Sequence, residues 1–515
     1  MDYSLWLSVV PSVIAIALAT WTKQVIPALL IGLWIGSFII TGSFLSSISQ
    51  TVEYIVGVLA DPGNLDVLLF LYVFSGLVAL IQLSGGVQAF AHVMEKYIGN
   101  AKKTLIASWL LFPLTFIDCG FRVVATGSIM KPLIKKFDVS KERFAYMLNN
   151  SASPVIVLIP VATTYIGYIL GVVGKGMDAA GIGGSAFQLF LSSIPFQFFS
   201  FTSIAIALLS VIVGWNFGRM KQMIQTSNKD VNIGSKKNSS IADPALSMEM
   251  SEELGNTDKA DTSKDQMGVT SKGDMEEMDM GMGEPALNPR LFNLLLPILI
   301  LIPLSFYLIW WSGQKQVESQ NVVEVFAAAD PSRAMFLALF ITVMLTAVLY
   351  LLQGLKLKNM TDRFVKGGNK LMTTIVILAV AWPISDVSQD LGLTDLIRTT
   401  LGGSLSAIWV PVIIFIVTGA VTYFIGSSWG AWALMMPIAI PLAVTTGGSI
   451  PLAVAAVLSG GTFGDVTSPV SGMTAMSAGA AEANHMKYVR AMTPYNLVAA
   501  SLAAGLFIII PFFII

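Results

Sequence analysis

Long apolar runs dominate the chain, many of them close to the ~20 residues that a helix needs to cross a bilayer. Uninterrupted runs fall near 5–21, 25–40, 65–86, 154–174, 187–217, 291–311, 334–353, 371–392 and 491–515, and each predicts a membrane helix. Other apolar stretches are interrupted. They are 104–118, 119–134, 406–424 and 428–443, with 451–482 split by Gly464 and Pro469. Such breaks are tolerated at membrane depth only where the freed backbone groups face protein or a wet cavity. The pattern therefore predicts full crossings alongside segments that turn back or break midway.

Lysine and arginine fix the sides, because cytoplasmic connections are enriched in them. The basic connections are Lys96–Lys102–Lys103, Lys131–Lys135–Lys136–Lys141–Arg143, Arg219–Lys221 onward, Lys356–Lys358–Arg363–Lys366–Lys370 and Lys487–Arg490. All of them face the cytoplasm only if 104–134 enters and leaves from that side as a re-entrant hairpin. By the same reasoning 406–443 is a hairpin entering from outside. Two helices, a third, a hairpin, a broken helix and a closing helix then follow one another twice, in 1–217 and in 291–515. An odd number of crossings per half starts the second half on the opposite side. The expected fold is an all-α polytopic membrane protein of two inverted-topology repeats, each with a re-entrant hairpin and a broken helix. Weak internal symmetry agrees, since Asn149–Asn150–Ser151–Ala152–Ser153–Pro154–Val155 aligns with Gly464–Asp465–Val466–Thr467–Ser468–Pro469–Val470.

Between the repeats, 218–290 is rich in Ser, Asp, Glu, Lys, Gly and Met and poor in large apolar residues. It cannot bury a core and is expected to be a disordered cytoplasmic linker. Both termini are then expected outside the cytoplasm of an inner or plasma membrane. Met1–Asp2–Tyr3 offers no basic n-region and no convincing cleavage site follows, so Trp6 to Trp21 reads as a first membrane helix and not a signal peptide.

Composition sharpens this picture. The 515 residues are 55% hydrophobic and 12% charged, with mean hydropathy +0.74, too apolar for a fold whose surface must be wetted. A single cysteine, Cys119, excludes an intrachain disulfide and a cysteine zinc cluster, and two histidines, His92 and His485, leave no histidine-built metal site. The thioethers from Met278 to Met282 would suit a soft metal; without cysteine or histidine nearby, a flexible tether is the plainer reading.

Broken helices in paired repeats set substrate and ion sites where the breaks meet, near the midplane. Four segments supply breaks: Phe116 to Arg122, Asn149 to Pro154, Gly426 to Gly430 and Gly464 to Pro469. Asp118 lies mid-hairpin, where a carboxylate costs roughly 2.5–3.5 kcal/mol, so it needs a partner or a role. Arg122, four residues on, offers a structural ion pair. The functional alternatives are cation or proton binding by Asp118 and capture of a substrate carboxylate by Arg122. Asp465 has no basic neighbour within four residues, which favours proton or sodium binding over helix capping. Sodium prefers hard oxygens, and Asn149, Asn150, Ser151, Ser153, Thr467 and Ser468 flank the breaks, although each alone also fits ordinary helix packing. Gly426, Ser427, Ser428 and Gly430 form the outer hairpin tip. Ser427, Ser428 and Trp429 are candidate substrate contacts, with Trp429 either a lid or packing. Asp386 is expected as a solvated cap, and His485 as a surface histidine, with pH sensing as the alternative.

At these same segments the chain resembles the NhaC family of sodium/proton antiporters, within the wider ion-transporter superfamily. The likeness covers most of both halves. It is carried by Phe116-Ile117-Asp118 through Gly127-Ser128-Ile129-Met130-Lys131-Pro132, Tyr146 to Pro154, Gly426 to Gly430, Gly460 to Pro469, and His485 with Val489–Arg490. The resemblance implies a secondary active antiporter working by alternating access, without a cofactor and with sodium or protons as coupling ion. Family members typically carry acidic or histidine residues where this chain has Cys119, Asn149, Val466 and Gly472, and a neutral polar residue where it has Arg122. Fewer carboxylates and an added guanidinium open a second reading, a sodium- or proton-coupled exchanger of a small organic anion or zwitterion. The expected partners are the lipid bilayer and the coupling ion; nothing points to nucleic acid, and a homodimer stays open. A channel is the rival from another class, disfavoured because mirrored halves place a site within one protomer. An intramembrane hydrolase lacks a Ser/His/Asp set on the spans.

Overall fold

The computed structural model describes residues 5–22, 24–86, 100–116, 118–216, 219–221, 290–317, 328–400 and 405–514, with isolated positions between them. Every element among these is helical. Four helices open the chain: α1 (Val10–Thr22), continuing a tight turn from Leu5, α2 (Val25–Thr41), α3 (Phe44–Ala60) and α4 (Pro62–Leu83). Next, α5 (Ala101–Leu110) and α6 (Phe112–Thr115) run to a tip at Asp118, from which α7 (Cys119–Lys136) returns. Then come α8 (Lys141–Asn150), α9 (Ser153–Ile156), α10 (Thr164–Ala180), α11 (Ala186–Ser193) and α12 (Phe198–Ile212).

The later half begins with α13 (Leu291–Gln314), α14 (Pro331–Leu352), α15 (Leu357–Asn369), α16 (Met372–Asp390) and α17 (Leu393–Thr400). It closes with α18 (Val410–Ile425), α19 (Ser428–Thr445), α20 (Ile450–Thr467), α21 (Gly472–Ala480), α22 (His485–Ile509) and α23 (Pro511–Ile514). Several starts are written locally. Asp61 accepts from the Asn64 amide ahead of Pro62, and Asp330 from the Arg333 amide ahead of Pro331; a proline in the first turn gives up an amide that would have no helical partner.

Among the described residues, nine helices are long and apolar enough to cross a membrane, or up to ten if Ala186–Phe196 and Phe198–Ile212, bent by 44°, form one broken span. This is a multi-pass membrane protein. Ile450–Thr467 is 83% buried within the protein and Leu5–Thr22 only 28%, so the broken helix is central and the first helix peripheral. On α14 the side chains of Phe340, Leu345 and Val348 are exposed, a surface suited to lipid and not to water.

Packing recurs between the halves. α1 lies on α2 as α13 lies on α14; α2 packs on α16 and α14 on α4; α3 packs on α16 and α15 on α4. The helices α3 and α15 stand where apolar runs alone leave connections, because α3 is an apolar helix of only 17 residues broken by polar positions and α15 is amphipathic. α15 seats closely: a Cβ on Gly367 would lie 2.7 Å from the Ser75 carbonyl, and the Ser75 hydroxyl donates to the Gly367 carbonyl at 2.6 Å.

Two further differences concern the breaks. Gly464 does not interrupt α20, which stays helical to Thr467; its missing side chain lets α18 approach, since a Cβ there would sit 2.7 Å from the Tyr423 amide. The first-half break extends well past Pro154, because only the short α9 intervenes before α10 starts at Thr164. The linker expected over 218–290 lies almost wholly outside the described residues, as do Met278 to Met282 and His92.

Candidate ion-binding site

Asp465 occupies the last turn of α20 and is almost fully buried. Its Oδ1 accepts from Ser471 Oγ at 2.7 Å and its Oδ2 from Ser153 Oγ at 3.1 Å. The Ser428 hydroxyl acts on the same carboxylate electrostatically but is buried with no hydrogen-bond partner among the described residues, and Ser153 shares a 2.9 Å hydrogen bond with the Tyr165 hydroxyl. Three separated segments thus meet one carboxylate: the first-half break, the tip of the α18–α19 hairpin and the second-half break. None of the ion pairs among the described residues involves Asp465. A carboxylate surrounded by hydroxyls, with no cation beside it, is a ligand set for a hard monovalent ion or a proton.

Asp118 has a different setting. It is the N-cap of α7, with Oδ1 accepting from the Phe121 amide at 2.8 Å and Oδ2 from Thr164 Oγ1 at 3.0 Å. A helix N-terminus favours an anion. The structural pair with Arg122 does not form. Asp118 has extended backbone (φ −149, ψ 142), so the helical i,i+4 side-chain geometry is lost, and only the main-chain bond from Arg122 N to Asp118 O, 2.9 Å, keeps that spacing. The Arg122 side chain turns the other way, donating from Nε to Ser151 Oγ (3.1 Å), from Nη1 to Thr115 Oγ1 (2.8 Å) and from Nη2 to the Ser108 carbonyl (3.2 Å). Its guanidinium lies 5.1 Å from the Phe112 ring centroid.

Around these centres the breaks are stitched together. Asn149 Nδ2 donates to the Val466 carbonyl at 3.1 Å and to the Tyr488 hydroxyl at 2.8 Å, and Asn496 Nδ2 reaches the same carbonyl at 2.9 Å. Ser468 Oγ donates to the Tyr423 carbonyl at 2.6 Å, tying the break after α20 to the end of α18. Asn150 donates to the Tyr146 carbonyl and accepts from Ser203. The Thr467 hydroxyl and the amide oxygens of Asn149 and Asn496 are buried with no hydrogen-bond partner among the described residues. Ser427 caps α19 at the Gly430 amide, 3.4 Å. Trp429 is packed: its ring meets Tyr165 at 5.0 Å and Tyr168 at 4.6 Å, both edge-on, and its carbonyl accepts from Tyr168.

Thus Asp465, Ser153 and Ser428 form one cluster, with Trp429 stacked beside it through Tyr165. Arg122 and Ser151 form a second cluster, and Asn150 is bound locally. Sequence reasoning missed Ser471, Tyr165, Thr164 and Asn496. Ser471 carried a signal, a hydroxyl just past Pro469, whereas Tyr165 looked like any aromatic in a span. His485 is more than a surface histidine, since its Nε2 lies 2.7 Å from the Pro469 carbonyl inside the break. Asp386, expected as a solvated cap, pairs with Lys175 at 3.2 Å.

A polytopic helical bundle whose discontinuous helices converge on a buried carboxylate defines a membrane secondary transporter, and comparison with known proteins agrees. The chain belongs to the Na+/H+ antiporter family, whose sequence profile matches residues 155–512. An uncharacterized protein of Haemophilus influenzae is 25% identical over 522 aligned residues, covering 99% of this chain and 91% of that protein. The fold is shared with MtrF of Neisseria gonorrhoeae, described as illuminating a class of antimetabolite efflux pumps (TM-score 0.56, 15% identity, 92% of this chain and 86% of that one). It is shared also with the YdaH transporter of Alcanivorax borkumensis, described as having an unusual topology (TM-score 0.54, 14% identity, 91% and 89%).

Proposed function

We propose that Asp465 is the exchangeable ion site of this transporter, binding Na+ and H+ in competition as the protein alternates between its two faces. The observation that carries this reading is one buried carboxylate that accepts from Ser153 and Ser471 and has no basic partner, with the unpartnered Ser428 hydroxyl acting on it from the hairpin tip. Hydroxyls donate to the bare carboxylate and can turn their lone pairs toward a bound cation, so one cluster serves both states. Thr467 and Asn149, with unpartnered oxygens nearby, complete a supply of hard ligands. Asp118 supports the site from the helix end it caps.

The moving unit comprises the two hairpins and the broken helices α8–α10 and α20–α21, working against a scaffold of α1–α4 and α13–α16. The exchanged packing of the halves, α2 on α16 and α14 on α4, supports inverted repeats, and the hairpin tips lying against the breaks support re-entry from opposite faces. The basic α7–α8 connection is assigned to the cytoplasm of the cell membrane. Coupled transport of an organic anion is less favoured, because each Arg122 nitrogen already donates to a protein acceptor and the side chain is fully buried.

The test is Asp465→Asn in proteoliposomes. Sodium-driven proton flux should fall at least about tenfold, the factor equivalent to about 1.4 kcal/mol. Unchanged coupling would remove Asp465 from the mechanism.

A further inference from the structure

Arg122 is the largest charged side chain with no solvent exposure at all, and what surrounds it is unusual for an arginine. Its three nitrogens donate to the Thr115 and Ser151 hydroxyls and the Ser108 carbonyl. Each ligand is a neutral oxygen, and they come from three segments: the two parts of the first hairpin's entering arm and the first-half break. No ion pair among the described residues includes Arg122. A guanidinium stays protonated in proteins, so positive charge resides permanently in this oxygen cage. Carbonyl and hydroxyl oxygens gathered from a hairpin and a broken helix are also what a hard monovalent cation would accept. A substrate anion would need the guanidinium fork to face a cavity, and here the fork is turned onto the protein. Of the two carboxylates at the breaks, Asp118 feels the charge of Lys370, whereas only hydroxyls act on Asp465.

We infer that Arg122 is a tethered cation, filling with its guanidinium a monovalent-cation site in the first half so that this transporter exchanges one cation, at Asp465, where an emptied cage would admit a second. The inference rests on the assignment of Asp465 as the exchangeable site. A purely structural hub would tie the hairpin to the break equally well, so the test reads something a hub does not move.

Wild type, Arg122→Ser, Arg122→Lys and Asp465→Asn are purified in detergent. Equilibrium binding of radioactive Na+ is measured, and thermal unfolding is compared in sodium chloride and in choline chloride at equal ionic strength. Wild type and Arg122→Lys should bind one Na+ per chain. Arg122→Ser should bind two, with a Hill coefficient rising from about one toward about two, and its lost thermal stability should return in Na+ but not in choline. Purification of Arg122→Ser in sodium alone would itself be that rescue. Binding that stays at one ion, destabilisation equal in the two salts, or failure to purify in either overturns the tethered cation. The two assignments fail separately: Na+ binding unchanged in Asp465→Asn removes the exchangeable site, whereas loss there with no second ion in Arg122→Ser removes only the tethered cation.

Discussion

At Asp465 the chemistry depends on hydroxyls that residue type alone does not single out. Ser471 makes the shorter of its two described hydrogen bonds, 2.7 Å against 3.1 Å from Ser153. With a bound cation the Ser471 hydroxyl would turn its lone pair to the ion, so Ser471→Ala removes one hard ligand and should weaken Na+ binding by about tenfold. It should leave folding intact, since Ser471 is a local cap on α21. Titrating a sodium-dependent thermal shift checks this, and equal affinity would place Ser471 outside the ion's ligands. Asp465 was legible as a charge within an apolar run, and Ser153 as a hydroxyl beside the Pro154 break. Tyr165 was not, because an aromatic in a membrane helix fits lipid and core equally well. The Asp118–Arg122 pair, one of the alternatives the spacing offered, fails through backbone conformation: capping takes Asp118 off the helix, which no i,i+4 rule sees. Asn496 was invisible because its partner, the Val466 carbonyl, belongs to another helix.

For the helical elements, apolar length is a strong signal and an interrupted or amphipathic pattern a weak one, which is why the membrane spans were legible and α3 and α15 were not. Breaks were read from glycine and proline, and the two behave differently. Pro469 interrupts a helix through its missing amide, whereas Gly464 is a contact surface within one. Gly426 serves a third purpose, with φ at +77 and a Cβ position 2.6 Å from the Val470 carbonyl. It lets the α18–α19 tip turn and press on the break beside Asp465. Gly426→Ala should cost roughly 1–2 kcal/mol for the left-handed backbone and push the tip off the break as well. Gly447 supplies the control, since its φ is +70 and nothing lies within 4 Å of its Cβ position. Thermal unfolding should show both variants destabilised, with Gly426→Ala the more so and alone in slowing ion exchange. Equal loss of exchange in the two would mean that the tip's seat does not govern transport.

Across the whole molecule, charged contacts flank the buried site, one set within the proposed moving unit and one between it and the scaffold. In the connection after α21, Lys131 together with Lys135 and Lys141 holds the exposed Glu482 carboxyl below the ordinary carboxylate range. A depressed carboxyl contributes its stability above its unfolded value, and loses it as pH falls through the lower folded one. Hydrogen exchange over 131–141 should therefore be faster in Glu482→Gln than in wild type at pH 7, and the difference should begin to shrink only as pH falls below the ordinary glutamate value of about 4.3, disappearing below the lowered folded one.

On α10, roughly 16 Å along the helix from Thr164, Lys175 meets Asp386 of α16, with side chains 15% and 31% exposed. Such a partly wetted pair contributes about 1 kcal/mol at most, too little to hold the fold but enough to shift a two-state balance about fivefold. Because α10 belongs to the proposed moving unit and α16 to the scaffold, the pair exists in one conformation and must part in the other. Asp386→Asn should thus change the exchange rate by up to about fivefold while leaving Na+ affinity at Asp465 unaltered. The reversed double variant Lys175→Asp/Asp386→Lys should move the rate back toward wild type, falling short of it because Asp178 and Asp390 also act on this site. If the double variant stays as altered as the single one, or if affinity shifts along with rate, the pair is local packing, and α10 and α16 do not separate during the cycle.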